Sequence, residues 1–157
     1  MGDLDPHVRL RNNLTTFLEN GENELIDKIP NKWLRLGDLI LLPETAFKSD
    51  KWAKLTRLDG FWESVANALR ASRIGRQAEV DSGPMRESNA ELLLGENGWV
   101  NHKEHGVIYC FDATKVMFSA GNISERGYTG KINASGEIIV DLYCGIGYYS
   151  LPLLVHS

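Results

Sequence analysis

Near its C-terminal end the chain reads Ile138-Ile139-Val140-Asp141-Leu142-Tyr143-Cys144-Gly145-Ile146-Gly147-Tyr148-Tyr149. A β-branched apolar run, an acid and a Gly-x-Gly turn predict a strand over 137–143 that bends sharply into a helix. Glycine is needed where a backbone must turn tightly and approach a ligand closely. A pyrophosphate-binding turn would read Gly-x-Gly-x-x-Gly, with an acid about 20 residues later. Here the third position is Ser150, and the acid, Asp141, precedes the glycines. That order suits a nucleoside carrying a cationic amino-acid tail, such as S-adenosylmethionine, better than a dinucleotide. A tight strand–helix turn without a ligand is the other reading the pattern allows.

The rest of the composition removes several classes. Net charge is −4 over 157 residues, so no bulk basic surface advertises nucleic acid, and any such partner must be met by a patch. The most apolar stretch, 137–155, is broken by Asp141, Gly145, Gly147 and Pro152, and falls short of a membrane-crossing helix. The acidic N-terminus has no apolar core and is not a secretory signal. Two cysteines cannot build a disulfide framework, which makes a reducing, cytoplasmic setting the expectation. His102 and His105 with the more distant Cys110 form too sparse a set for a metal, so none is assigned.

Along the chain, residues 1–30 are polar, although Leu10, Leu14, Phe17 and Leu18 could line one helix face. The run Gly37-Asp38-Leu39-Ile40-Leu41-Leu42-Pro43 predicts a buried strand. Ser49-Asp50 offers a helix start, and Trp52, Leu55, Trp62, Val65, Ala66 and Leu69 follow at helical spacing with a break at Asp59-Gly60. Residues 79–89 predict a loop. Leu92–Leu94, Trp99–Glu104 and Val107–Phe111, separated by Gly95-Glu96-Asn97-Gly98 and His105-Gly106, predict a three-stranded antiparallel meander. A helix is expected within 119–132, against three glycines.

Two segments together resemble one family. Phe118-Ser119-Ala120-Gly121-Asn122-Ile123-Ser124-Glu125-Arg126, followed by Asp141-Leu142-Tyr143-Cys144-Gly145-Ile146-Gly147-Tyr148, resembles the wybutosine-synthesis aminocarboxypropyltransferases, relatives of the tRNA guanine-N1 methyltransferases that act beside the anticodon. Supporting matches are Leu36–Leu42, Arg73–Gln77, Leu92–Gly95 and Gly98-Trp99-Val100, so the resemblance runs from Trp33 to the C-terminus and leaves 1–30 outside. The methyltransferase branch would carry Phe-Ser-Pro-Arg where this chain has Phe-Ser-Ala-Gly-Asn, which favours the aminocarboxypropyl branch. Cys144 stands where alanine is usual.

The resemblance implies an α+β N-terminal domain of antiparallel strands and helices, then the first β–α unit of a Rossmann-like class I methyltransferase fold. The corresponding divisions are a polar leader over 1–30, the α+β domain over 31–117, and the start of an S-adenosylmethionine-binding domain over 118–157. It implies that Ser119 and Arg126 contact S-adenosylmethionine and that Asp141, Tyr143, Gly145 and Gly147 form the nucleoside-side wall. A guanidinium can pair bidentately with the methionine carboxylate and a hydroxyl can bond a neighbouring polar group. The alternatives are a solvated helix charge for Arg126, a helix cap for Ser119 and a turn cap for Asp141. No catalytic residue is assigned.

The implied activity transfers the 3-amino-3-carboxypropyl group to the modified guanosine (4-demethylwyosine) beside the anticodon of tRNA(Phe). A tRNA guanine-N1 methyltransferase and a non-catalytic RNA-binding module are the other readings. Arg70, Arg73 and Arg76, at three-residue spacing, would share a face if helical and could grip tRNA phosphates, or could offset the end of the preceding helix. A parallel nucleotide-binding sheet needs further strand–helix units beyond the one seen here. The expectation is that residues 1–157 alone are inactive and that the longer parent is the enzyme.

Overall fold

In the computed structural model of the chain, residues 4–18, 23–78 and 88–156 are described. The loop expected over 79–89 lies mostly outside them.

Asp5 and Pro6 start the first helix, α1 (Pro6–Thr15): the Asp5 carboxylate accepts the His7 N–H at 2.8 Å, and proline's fixed φ suits the first turn. Leu10 and Leu14 are fully buried, and Arg9 Nε and Asn13 Nδ2 donate to the carbonyls of Ala68 and Ser64 at 2.7 and 3.1 Å. Those four side chains fasten α1 to a later helix, which holds Ser64 and Ala68. A 3-10 helix (Asn23–Lys28) follows.

The main sheet has four strands in the order β1 (Leu34–Leu36), β2 (Leu39–Leu42), β3 (Arg73–Arg76) and β4 (Glu91–Leu94). β1 and β2 form a hairpin around Gly37-Asp38, β2 and β3 run parallel, and β3 pairs antiparallel with β4. A parallel pair needs a crossover, and α2 (Asp50–Leu55) and α3 (Phe61–Leu69) supply it, broken at Asp59-Gly60 as the spacing predicts. Ser49 occupies the position before α2, but its hydroxyl makes no capping bond.

β2 explains why its four residues form an unbroken apolar run. Ile40 and Leu42 face a cluster with Leu10, Leu14, Leu25, Phe47, Trp52, Phe61, Val65 and Leu69. Leu39 and Leu41 face the opposite way, into a cluster with Leu36, Val100, Val107, Tyr109, Phe111 and Phe118. The sheet therefore lies between a helical layer and a separate hairpin, β5 (Trp99–Glu104) with β6 (Val107–Asp112). Each fully buried Leu or Ile contributes about 1.5–3 kcal/mol of transfer free energy.

Three expectations change. The meander divides, because β4 joins β3 and only β5 and β6 form a hairpin. Arg73 holds the link between them apart, its Nη1 donating to the carbonyls of Asn97 at 2.9 Å and Trp99 at 2.7 Å. The helix sought within 119–132 is the shorter α4 (Ile123–Thr129), entered through Asn122 at φ +59. The strand expected over 137–143 has no ladder: no strand lies beside it among the described residues, and a strand is defined by its partner's hydrogen bonds. The helical half of that unit does form, as α5 (Ser150–His156).

Candidate cofactor site

β5 alternates outward and inward residues, placing Val100, His102 and Glu104 on the face toward the sheet. An acid on an apolar face needs a partner. Arg126, from α4, meets Glu104 there: its Nη2 donates to Oε2 at 2.8 Å and its Nε donates to Oε1. Arg126 is 2% exposed and Glu104 7%. The guanidinium holds the Glu104 carboxyl below its usual range against the opposing effect of burial, and Glu104 in turn raises Arg126. Arg126 Nη1 donates to the carbonyls of Ser119 at 3.2 Å and Gly121 at 2.7 Å, so the same side chain shapes the turn that enters its own helix. The rings of Phe118 and Tyr148 flank the cation at 5.4 and 5.3 Å.

Phe118 anchors that turn in the second cluster, stacked on Phe111 with a centroid separation of 5.5 Å and edge-on to His102 at 4.8 Å. Tyr148 fastens it from the other side. Its hydroxyl accepts the Ser119 N–H at 2.9 Å and donates to the Met117 carbonyl at 3.1 Å.

Tyr148 follows the glycine turn directly. Gly145 and Gly147 have φ of +54° and +86°, and the Gly147 N–H bonds the Cys144 carbonyl at 2.8 Å. A Cβ on Gly147 would lie 2.7 Å from Leu151 Cγ, so this turn requires glycine for both its φ and its packing. Ahead of it, Asp141 and Tyr143 are exposed, and the Asp141 carboxylate accepts the Tyr143 N–H at 3.3 Å. Asp141 also lines a cleft of about 320 Å³ with Ala134, Glu137, Ile139, Ser150, Leu153 and Leu154.

The structure thus brings Ser119 and Arg126 together on one turn and joins that turn to the Gly145–Gly147 segment through Tyr148. Among the described residues no hydrogen bond links Asp141 or Tyr143 to Ser119 or Arg126. An exposed carboxylate, an exposed aromatic face, a half-buried serine and an exposed glycine, Gly145, fit the donor and acceptor needs of a nucleoside with an amino-acid tail. The Arg126 guanidinium makes four hydrogen bonds to protein atoms.

Arg70, Arg73 and Arg76 do not share a helical face. Arg70 is the left-handed cap of α3, while Arg73 and Arg76 lie on β3, where a three-residue spacing puts side chains on opposite faces. Arg73 pairs with Asp38 at 2.5 Å and Arg76 with Glu91 at 3.1 Å. His105 sits on the β5–β6 turn with its Nε2 2.9 Å from the Ile123 carbonyl, away from inward His102 and exposed Cys110. Among the described residues no group of three or more His, Cys, Asp or Glu could hold a metal, and no helix is long and apolar enough to cross a membrane.

Sequence reasoning missed Glu104 and the Tyr148 hydroxyl. Strand alternation could have found Glu104, an acid in register with inward residues. Nothing local announces where a tyrosine hydroxyl will reach.

Residues 13–98 match the TYW2 N-terminal domain, and residues 100–157 match the TRM5/TYW2 methyltransferase domain. The first match begins inside the segment that the motifs left out. The chain is 44% identical over 154 residues to tRNA wybutosine-synthesizing protein 2/3/4 of Arabidopsis thaliana, covering 97% of this chain and 15% of that protein. It is 42% identical over 134 residues to the tRNA wybutosine-synthesizing protein 2 homolog of Homo sapiens, covering 85% of this chain and 30% of that protein. Among solved structures it resembles P. horikoshii TYW2 in complex with MeSAdo, with a TM-score of 0.71, 30% identity, and coverage of 96% of this chain and 50% of that one. It also shares the fold of the M. jannaschii tRNA m1G37 methyltransferase, with a TM-score of 0.65, 24% identity, and coverage of 98% and 44%. The chain therefore spans well under half of these curated relatives and about half of these solved chains.

Proposed function

The chain belongs to the TYW2 family, and we propose on that basis that its full-length protein is an S-adenosylmethionine-dependent transferase of wybutosine synthesis. The observation that carries the reading is the joining of its two motifs, with the Ser119 turn and the Gly145–Gly147 turn held by one tyrosine. The group transferred is 3-amino-3-carboxypropyl, and the acceptor is the modified guanosine (4-demethylwyosine) beside the anticodon of tRNA(Phe). The second matched domain is common to the methyltransferase branch and to this one. The match of residues 13–98 to the TYW2 N-terminal domain favours the aminocarboxypropyl branch.

S-adenosylmethionine supplies a sulfonium that activates the carbons bonded to it, so its orientation decides which C–S bond is broken. The protein's part is to bind and orient. The Asp141 carboxylate can accept hydroxyl donors of a ribose, and the Tyr143 ring offers a face to a base. Gly145 leaves the backbone open to close approach, and Gly147 lets the turn close against Leu151. The Ser119 hydroxyl serves the amino-acid end, while Arg126 acts behind it, shaping the turn from its buried pairing with Glu104. We place the division between the two units at residues 117 and 118, after the β5–β6 hairpin, although the match to the methyltransferase domain begins at residue 100 and the cluster under the hairpin also takes in Phe118 and Tyr148.

Titration calorimetry of S-adenosylmethionine against the full-length protein tests the reading. Asp141 and Tyr143 are exposed, so Asp141→Ala and Tyr143→Ala leave the melting temperature unchanged while weakening binding severalfold or more. Unchanged affinity in both would remove the nucleoside wall. Mass spectrometry of modified tRNA separates aminocarboxypropyl from methyl addition.

A further inference from the structure

Tyr148 has no task in the motif that contains it, yet its hydroxyl is the most specific contact between the two turns. The ring packs against Tyr109 and Phe118, at 6.2 and 5.5 Å between centroids, and a phenylalanine would fill the same space. The hydroxyl bonds the two backbone atoms that bracket Phe118: the Met117 carbonyl and the Ser119 N–H. Residues 117–120 belong to no helix or strand, so no ladder fixes this stretch. Arg126 secures only its downstream side, through the carbonyls of Ser119 and Gly121. Among the described residues, the hydrogen bonds between the glycine turn and residues 117–119 are those of the Tyr148 hydroxyl, beside the packing of its ring on Phe118.

We propose that Tyr148 is a positioning residue whose hydroxyl sets the separation of the Ser119 turn from the Gly145–Gly147 turn, and thereby the affinity for S-adenosylmethionine. This rests on the cofactor site proposed above. A ligand touching both turns binds best when their spacing is set beforehand, because it need not order them itself. Deleting the hydroxyl leaves the ring packed but frees the two peptide units flanking Phe118.

The test compares Tyr148→Phe with Tyr109→Phe in the full-length protein. Tyr109 sits in the same aromatic cluster, and its hydroxyl lies 3.4 Å from the Tyr148 carbonyl without reaching residues 117–119. Loss of a buried hydrogen-bonding hydroxyl predicts a rise of roughly tenfold in Kd and KM for S-adenosylmethionine in Tyr148→Phe. The KM for tRNA and kcat at saturating cofactor stay unchanged, and Tyr109→Phe binds as the wild type does. Hydrogen exchange at the Ser119 amide, read by mass spectrometry on the cofactor-free protein, quickens in Tyr148→Phe alone.

Wild-type affinity in Tyr148→Phe, equal losses in both variants, or unchanged Ser119 exchange would each overturn the proposal. A Tyr148→Phe protein that fails to fold would do so too, since the hydroxyl would then be holding the fold and not a spacing. If the wild type itself binds no S-adenosylmethionine, the cofactor reading falls first, and that result is visible before any variant is compared.

Discussion

Glu104 and Arg126 form a two-pronged ion pair almost entirely out of solvent, with Arg126 Nη2 2.8 Å from Glu104 Oε2 and Nε bonded to Oε1. A pair of this kind is costly to break from one side, because the surviving charge is left buried. Glu104→Ala is expected to cost about 3–5 kcal/mol, read as a lower urea midpoint with the slope preserved. The double variant Glu104→Leu, Arg126→Met should recover part of that loss, since neither charge then remains to be buried while the Ser119 and Gly121 carbonyls still lose their donor. A double variant no more stable than Glu104→Ala would show that the pair is not isolated from water.

Phe61 is fully buried at the start of α3, edge-on to Phe17, Phe47, Trp52 and Trp62 within 6.1 Å. Phe61→Ala should cost about 3–5 kcal/mol by removing the centre of this aromatic group. The emission of Trp52 and Trp62 follows the unfolding directly.

Gly37 and Gly60 both have positive φ, at +59° and +80°, but their surroundings differ. A Cβ on Gly60 meets nothing within 4 Å, whereas one on Gly37 would sit 2.8 Å from the Asn101 carbonyl oxygen. Gly60→Ala should therefore cost about 1–2 kcal/mol, from backbone strain alone. Gly37→Ala should lose more, because the β1–β2 turn must also move away from β5. Equal melting temperatures for the two variants would contradict this.

Acid should weaken the fold in two stages. Burial lowers the pKa of His102 despite the nearby Glu104 carboxylate, so the unfolded chain takes up this proton first. The stability from neutral His102 is complete above about pH 6.5 and is lost as pH falls below it. Glu104, lowered by Arg126, adds a second loss below about pH 4.5. Urea midpoints measured from pH 8 to pH 2 should show both declines, and His102→Gln should flatten the first one only.

Much of the architecture is written locally. The unbroken apolar run of β2 and the helical spacing from Trp52 to Leu69 each reflect burial that the neighbouring residues declare. The partner of β4 is not declared locally, since Leu92–Leu94 would suit β5 as well as β3, and Arg73 settles the choice from outside. The placement of the arginine trio is not legible for a related reason: three-residue spacing means one face only on a helix, and 73–76 is a strand. The glycine turn was legible because positive φ narrows the choice of residue. The role of Arg126 depends on Glu104, 22 positions earlier in the chain, and no local pattern connects them.

β2 has no solvent side, and that gives the molecule a mechanical property. Ile40 and Leu42 belong to the helical cluster, and Leu39 and Leu41 to the cluster that holds Phe118. One four-residue strand is thus a shared wall, and neither side can melt without exposing the other. The helices and the turn that carries Ser119 should lose structure in one cooperative transition, so that damage on the helical side, far from the Ser119 turn, is felt there as a change in how often that turn is intact.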